Sequence, residues 1–329
     1  MDKAAFVSLA RQAGFGKIGF CSTRGFEIER QRVLESPPIE ERKQLRFVPE
    51  EDYPQAKSLT VLLWGYTPAG NEADDCVQVD GYYFASNAAY HAARELEERV
   101  RASGGFAQAN VSYPAREAAV RAGMGIIGNN GLLITPEFGT RVVIILMAID
   151  IDIENDEQDH VATLAEHCLR CGKCEKACPA GAIDSSGMRF PEKCIRNFMM
   201  EGVVAPEHLR AKMGMRLIGC DICQRVCPLQ PKFTKGKILG LKLDELMTLD
   251  QTEFSQAIAK LSYEIGRNAA RPQRVRAQAA LLAGNSRNAR YLPVLREWSN
   301  LPFHAVKEHA QWAIEQIETS GLDRSKKTD

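Results

Sequence analysis

Hydrophobic positions in the first 150 residues follow two periods, which together predict helices and strands. Apolar residues recur at three- to four-residue spacing in residues 4–13 and 88–102, as on one face of a helix. Short apolar runs of strand length occupy residues 17–21, 59–64 and 141–147. The pattern therefore predicts a mixed α/β domain over residues 1–150, followed by a solvated acidic loop over residues 150–159.

The rest of the chain has two other patterns. Residues 160–235 hold short helical pieces between closely spaced cysteines, and the composition changes again from residue 239. The amphipathic helices predicted there are residues 271–282 and 305–317, with breaks at Gly284, Asn285 and Pro302. Paired helices with small alanine contacts predict a HEAT-like segment over residues 239–323.

Composition and charge narrow the class of protein. The 329 residues are 45% hydrophobic and 26% charged, as in a globular protein. Lys+Arg and Asp+Glu both number 42, so the chain has no overall basic excess for nucleic acid. No apolar run approaches 18 residues, and the first residues lack a signal-peptide layout. We expect a cytoplasmic protein with no membrane partner.

Eight of the ten cysteines fall between residues 168 and 227, and the others are Cys21 and Cys76. Clustered cysteines in a cytosolic chain are usually metal ligands rather than disulfides. The first four follow the C-x2-C-x2-C-x3-C-P spacing of bacterial ferredoxins, whose fourth cysteine ligates the other of two [4Fe–4S] clusters. The second run, C-x2-C-x3-C-P, lacks one cysteine, which Cys194 supplies.

The predicted ligands are Cys168, Cys171, Cys174 and Cys227 for cluster 1, and Cys178, Cys194, Cys220 and Cys223 for cluster 2. Small residues after Pro179 suit backbone amides that point at cluster sulfurs. Two groups of four cysteines could instead hold two zinc ions, although the x2-x2-x3-Pro run disfavours zinc.

With these cysteines, several segments make the chain resemble the epoxyqueuosine reductase family, which comprises cobalamin-dependent iron–sulfur enzymes of tRNA modification. The segments are residues 219–224 among the cysteines, 53–58, 119–130, 276–280 and 309–313. The resemblance implies electron flow from a flavodoxin- or ferredoxin-type donor through both clusters to a cobalamin, which reduces epoxyqueuosine in tRNA or a related substrate. The expected fold class is α+β, with an α/β corrinoid-type domain, a ferredoxin-like dicluster domain and a HEAT-like end.

The resemblance also implies binding residues. Those expected at the corrinoid are Gly125, Gly128, Asn129, Asn130 and Asp221. The glycines belong to a stretch that matches the dinucleotide fingerprint G-x-G-x-x-G, but it follows a helical pattern instead of a strand. Such a loop suits backbone approach to a flat macrocycle, and it equally suits a turn that ends a helix.

Seven arginines and no acid lie within residues 265–296, as expected for phosphate contacts. The arginines expected to contact tRNA are Arg271, Arg274, Arg276, Arg287 and Arg290. The alternative is a solvated helix face balanced by acids such as Glu308 and Glu315.

The chain departs from the family at its proton donor. The family's aspartate corresponds to about Ala109, and residues 107–115 contain no acid. The nearby candidates for the role are Tyr113, Ser112 and Glu117, of which tyrosine and serine are poor acids near neutral pH. The family's Gly-Arg-Asp-Tyr-His segment reads Asn-Ala-Ala-Tyr-His at residues 87–91. We therefore expect a divergent member with an altered substrate pocket.

Two alternatives stay open. The chain could be a corrinoid-dependent reductase of another substrate, as reductive dehalogenases are, or a non-enzymatic two-cluster electron-transfer protein. Among the remaining candidates, Cys21 is expected to be a buried small residue and Cys76 an incidental thiol in a polar loop. His167 is expected beside the first cluster, and the other histidines on helix surfaces.

Overall fold

The computed structural model describes residues 1–36, 44–70, 73–153, 168–184, 189–231 and 236–325. Their strands are β1 (Lys17–Cys21), β2 (Ser58–Gly65), β3 (Gln78–Val79), β4 (Ala107–Ala109), β5 (Ile126–Ile127), β6 (Leu133–Ile134), β7 (Val142–Ile149) and β8 (Arg216–Ile218). His167 and most of the predicted acidic loop lie outside the described residues.

The α-helices divide between the sheet domain and the rest of the chain. They are α1 (Lys3–Gln12), α2 (Glu27–Leu34), α3 (Pro49–Asp52), α4 (Gly81–Ala102), α5 (Ala115–Arg121), α6 (Lys173–Ala177), α7 (Ile195–Glu201), α8 (Glu207–Arg210), α9 (Ile222–Arg225), α10 (Leu243–Leu246), α11 (Gln251–Ile265), α12 (Pro272–Ser286), α13 (Leu292–Trp298) and α14 (His304–Ser325). Along these ranges, no helix combines the length and apolar character needed to cross a bilayer.

A four-stranded antiparallel sheet, ordered β1-β2-β7-β4, forms the N-terminal region. Both faces of its central strand β2 are covered: Leu62 packs with α1 and α4, whereas Val61 and Leu63 pack on the opposite side with Phe26 and Met124. Burial on both faces explains why this strand reads as a continuous apolar run rather than as an alternation. The predicted mixed α/β character is confirmed.

Two predicted helix boundaries are wrong. Helix α4 begins at Gly81, seven residues before the predicted start at residue 88, because Asp80 caps it by accepting a hydrogen bond from the Tyr82 N–H at 3.0 Å. Helix α12 continues through the predicted break at Gly284 and Asn285. A β-carbon on Gly284 would lie 2.8 Å from Trp312, so this glycine permits close packing of α12 against α14.

The C-terminal helices share a core with α7 and β8 of the cysteine-containing region. His309 is fully buried within it, so the expectation that it lies on a helix surface is wrong. Cys21 is buried as predicted, but Cys76 is also buried, because its loop pairs with Lys242. The HEAT-like interpretation of residues 239–323 stays a prediction.

Candidate metal centres

The eight clustered cysteines surround two separate cavities. A cavity of about 30 Å³ is lined by Cys168, Cys171, Cys174 and Cys227. A second cavity, of about 180 Å³, is lined by Cys178, Cys194, Cys220 and Cys223. The cysteines at each cavity are those assigned to one cluster from the sequence, with Cys227 beside three cysteines far earlier in the chain, and their role as cluster ligands stays a prediction. We call these groups the outer and the inner cysteine set.

Local backbone geometry presents the first cysteines. Arg170 and Gly172 adopt left-handed conformations, with φ of 45° and 68°, and turn the chain between Cys168 and Cys174. Cys174 lies in the one-turn helix α6, which ends just before Cys178, and the two cysteines lie at different cavities. The Ala182 N–H donates to Cys178 Sγ at 3.3 Å, and the predicted hydrogen bonds from backbone amides to cluster sulfurs stay a prediction.

The two sets differ in their burial. Cys171 of the outer set is exposed. In the inner set, burial raises the pKa of Cys220 to about 11, and burial followed by repulsion from Cys220 raises the pKa of Cys223 still further. Thiols of this kind stay protonated near neutral pH unless a metal ion binds, since coordination deprotonates a thiol. The surroundings of Cys220 and Cys223 are thus suited to metal-bound thiolates, although all four inner cysteines are only partly buried.

Arginines accompany the inner set. Arg189 and Arg196 line its cavity. Burial lowers the pKa of Arg189, and Arg116 lowers it further, whereas Cys194 and Cys223 act in the opposite direction. The Arg189 Nε is buried and has no hydrogen-bond partner among the described residues. A buried N–H without an acceptor fits a site that receives an acceptor when its cofactor binds.

A buried polar network joins the sheet to the inner set. Asp221, beside Cys220, forms ion pairs with Arg141 at 3.4 Å and with Arg225 at 2.8 Å. The Tyr66 hydroxyl donates to Gln224 Oε1 at 3.0 Å. Burial, followed by repulsion from Asp221, raises the pKa of Asp80 at the same cavity to about 6.

The residues expected at a corrinoid are divided between two roles. A β-carbon on Gly125 would lie 2.2 Å from the Ile134 carbonyl oxygen, and one on Gly128 would lie 2.5 Å from the Ile134 side chain. These glycines therefore permit packing within the β5–β6 hairpin. Asn129 and Asn130 line the outer cavity, where Asn129 Oδ1 lies 4.0 Å from Cys168 Sγ. Asn130 also lines the inner cavity, so it lies between the two cysteine sets.

The catalytic candidates lie away from both cavities. Tyr113 is buried in the sheet domain and donates to Asp52 Oδ2 at 2.7 Å. Burial and this hydrogen bond raise the pKa of Tyr113, which weakens it as an acid. The Glu117 carboxylate lies 3.9 Å from Arg116. At the position of the missing acid, the Ala109 N–H donates to the buried Glu97.

Sequence reasoning missed Asp52, Asp80 and Arg189. Asp80 carries a helix-capping signal, because an aspartate precedes the apolar helix, but its place at the inner cavity depends on tertiary packing. Arg189 lies between the two cysteine runs and has no spacing signal of its own.

The predicted basic stretch is partly neutralised. Arg290 pairs with Asp244 at 2.8 Å, and Arg276 is half-buried over the Phe254 ring. Arg274 donates to the Asn268 carbonyl oxygen at 2.6 Å. Arg271 and Arg287 are exposed. The five arginines are therefore not equivalent, and the acid that balances Arg290 is not one of those expected from the sequence.

Comparison with known protein families identifies the cysteine region. Residues 167–230 match the 4Fe-4S double cluster binding domain. The chain therefore carries a two-cluster segment, and the zinc alternative is not supported.

Similarity to named proteins extends over almost the whole chain. This chain is 26% identical to the epoxyqueuosine reductase of Bacillus subtilis (strain 168), over 96% of this chain and 87% of that protein. It is 25% identical to that of Lactococcus garvieae (strain Lg2), over 99% of both chains. These similarities confirm the resemblance found in the sequence, at an identity that makes the chain divergent.

Solved structures share the fold. A crystal structure of a selenomethionine-labelled epoxyqueuosine reductase matches with a TM-score of 0.73 at 22% identity, covering 99% of this chain and 94% of that one. An epoxyqueuosine reductase solved with an epoxyqueuosine-modified tRNA stem loop matches with a TM-score of 0.71 at 23% identity, covering 96% and 90%.

Proposed function

We propose that this chain, a divergent relative of the epoxyqueuosine reductases, is a cytoplasmic iron–sulfur oxidoreductase that reduces epoxyqueuosine in tRNA or a closely related substrate. The observation that carries the proposal is the division of eight cysteines between two adjoining cavities, four to each. Two clusters at these positions handle electrons one at a time.

In this proposal the outer and inner cysteine sets each hold one [4Fe–4S] cluster. The exposed Cys171 places the outer cluster where a donor protein can approach, and a flavodoxin- or ferredoxin-type carrier supplies low-potential electrons. Asn130 lines both cavities and so lies between the two sets. Electrons then pass from the outer to the inner cluster.

The overall reaction takes two electrons and two protons. Both carbon–oxygen bonds of the epoxide break, a carbon–carbon double bond forms, and the oxygen leaves as water. A bound corrinoid would supply a reduced cobalt centre for two-electron chemistry at the epoxide. Of the residues expected to hold it, Asn129 and Asn130 have side chains at the outer cavity, whereas Gly125, Gly128 and Asp221 are engaged within the protein.

The proton donor is where this chain differs. Ala109 cannot donate a proton from its methyl group, and loss of a general acid typically costs about 10²–10⁴-fold in rate. Tyr113 and Glu117 remain candidates by position, and Asp52, hydrogen-bonded to Tyr113, adds a carboxyl group next to them. This difference supports a changed substrate within the same reaction class.

The deciding experiment is an anaerobic assay of the iron-loaded protein with cobalamin, a strong reductant and tRNA that carries epoxyqueuosine. Mass spectrometry of the nucleosides should show loss of one oxygen and formation of queuosine. No conversion by protein that contains both clusters and a bound corrinoid would contradict epoxyqueuosine as the substrate. Protein that binds no added cobalamin would contradict the corrinoid.

A further inference from the structure

The inner cavity combines four partly buried cysteines with an arginine whose Nε has no hydrogen-bond partner among the described residues. Arg189 lines this cavity together with all four inner cysteines. Arg196 lines the same cavity and is also half-buried, whereas Arg170, Lys173 and Lys193, each next to a cysteine in the chain or one residue from it, are exposed.

The position of Arg189 is fixed by the loop of the β5–β6 hairpin. A β-carbon on Gly131 would lie 2.8 Å from the Arg189 Cβ, so only glycine permits this close approach. The Gly131 carbonyl oxygen in turn accepts a hydrogen bond from Arg116. The Arg189 side chain thus packs closely against a loop of the sheet domain at the cavity wall.

One hydrogen-bond donor of Arg189 lacks an acceptor. Its Nε is shielded from solvent and has no partner among the described residues. Buried donors in proteins nearly always have a partner. A [4Fe–4S] cluster on the inner cysteines would bring sulfur acceptors into this cavity.

We propose that Arg189 donates its Nε–H to the cluster held by the inner cysteine set and raises the reduction potential of that cluster above that of the outer one. This inference rests on the proposed function, since it requires both clusters. Reduction adds negative charge to a cluster, so a nearby cation and a hydrogen-bond donor favour the reduced state. Arg189 is half-buried with its Nε shielded from solvent, so water and salt screen its charge less than that of an exposed side chain.

The consequence is a direction for electron flow. The outer cluster, next to the exposed Cys171, receives each electron from the donor. The higher potential of the inner cluster then makes transfer inward favourable, and the electron is held away from solvent.

The test is an anaerobic potentiometric titration of the iron-loaded full chain, followed by electron paramagnetic resonance. Arg189→Gln should lower the midpoint potential of one of the two cluster signals. We expect at least a tenfold fall in its ratio of reduced to oxidised form at a given potential, or about 59 mV for one electron. The potential of the other signal should stay unchanged.

Two matched variants complete the design. Arg189→Lys keeps the charge but not the planar Nε–H, and it should give an intermediate potential. Lys193→Gln removes an exposed charge beside Cys194 and should have little effect. If Arg189→Gln does not assemble both clusters, the lysine variant supplies the measurement.

Unchanged potentials in Arg189 variants that retain both clusters would overturn the inference. If Arg189→Lys had the same midpoint potentials as wild type, the Nε–H hydrogen bond could not be the cause of the raised potential. Wild-type protein without iron would instead refute the proposed function, so the two failures are distinguishable.

Discussion

Asp221 and Arg141 form an ion pair at 3.4 Å in the protein interior, where their side chains are 6% and 3% exposed. Arg141 lies immediately before strand β7, whereas Asp221 lies between two cysteines of the inner set. The pair therefore couples the position of the sheet to that of the inner cluster ligands.

Removing the Asp221 carboxylate should lower the free energy of unfolding. Removing one partner of a buried ion pair typically destabilises a protein by about 3–5 kcal/mol. We expect Asp221→Ala to unfold at lower urea concentration and to lose iron, measured by circular dichroism and iron analysis under anaerobic conditions. Arg225→Gln removes the half-exposed partner of the same carboxylate and should cost less than about 1 kcal/mol. Equal effects of the two variants would contradict the central role of the buried pair.

The grouping of cysteines makes a prediction across a long sequence separation. Cys227→Ala and Cys168→Ala should lose the same cluster and keep about four of eight irons. Cys194→Ala and Cys220→Ala, as separate variants, should each lose the other cluster. Iron analysis and electron paramagnetic resonance would identify the missing signal. Cys76→Ala, at a buried cysteine outside both sets, is the control and should keep both clusters.

The first cysteine run could be recognised because its spacing is a local property of the chain. The C-x2-C-x2-C-x3-C-P spacing appears directly in residues 168–179, whereas Cys194 and Cys227 were assigned by completing two groups of four, and the ligand roles stay a prediction. The buried strands could be predicted for a similar reason, since β2 and β7 are apolar on both faces.

The surroundings of the cysteines could not be predicted, because they depend on contacts between distant segments. Arg189 reaches the inner set only because Gly131 admits it, and Asp80 reaches the same cavity only through helix α4. The glycine loop had two sequence interpretations, and the contact of Gly125 with Ile134 gives it a packing role that neither interpretation included.

Acid should destabilise the C-terminal helices through His309. Its Nδ1 lies 3.0 Å from the Ala277 carbonyl oxygen, and its Nε2 accepts from the Ala205 N–H at 2.9 Å, so the imidazole is neutral. Burial lowers the pKa of His309 to about 4, below the value of about 6.5 in an unfolded chain. The contribution of the neutral His309 to the free energy of unfolding is therefore complete above pH 6.5 and is lost as the pH falls towards 4.

This difference in the pKa of His309 between the folded and unfolded chain corresponds to roughly 3 kcal/mol in the free energy of unfolding. Urea unfolding of wild type and His309→Ala between pH 7 and 4 should show a smaller loss of stability in the variant. His208→Ala, at an exposed histidine, should follow the wild type. Parallel curves for His309→Ala and wild type would contradict a neutral buried imidazole.

Packing of the glycine loop should matter for the outer cysteine set. Gly125→Ala places a methyl group 2.2 Å from the Ile134 carbonyl oxygen, so the β5–β6 hairpin must shift. Overpacking typically costs about 1–3 kcal/mol. Because Asn129 and Asn130 follow in this hairpin, we expect weaker iron retention by the outer set. Gly25→Ala, where the nearest atom would be 3.4 Å away, is the control and should retain iron normally.

Arginines in the C-terminal helices should differ in their contribution to RNA binding. Arg271 is exposed, whereas Arg290 is neutralised by Asp244. If this face contacts the tRNA backbone, Arg271→Gln should weaken binding and reduce the salt-dependence slope by about one, as for loss of one phosphate contact. Arg290→Gln should change both quantities less. Fluorescence anisotropy with a tRNA stem loop at several salt concentrations measures both, and equal effects of the two variants would contradict a role for the ion pair in setting which arginines bind RNA.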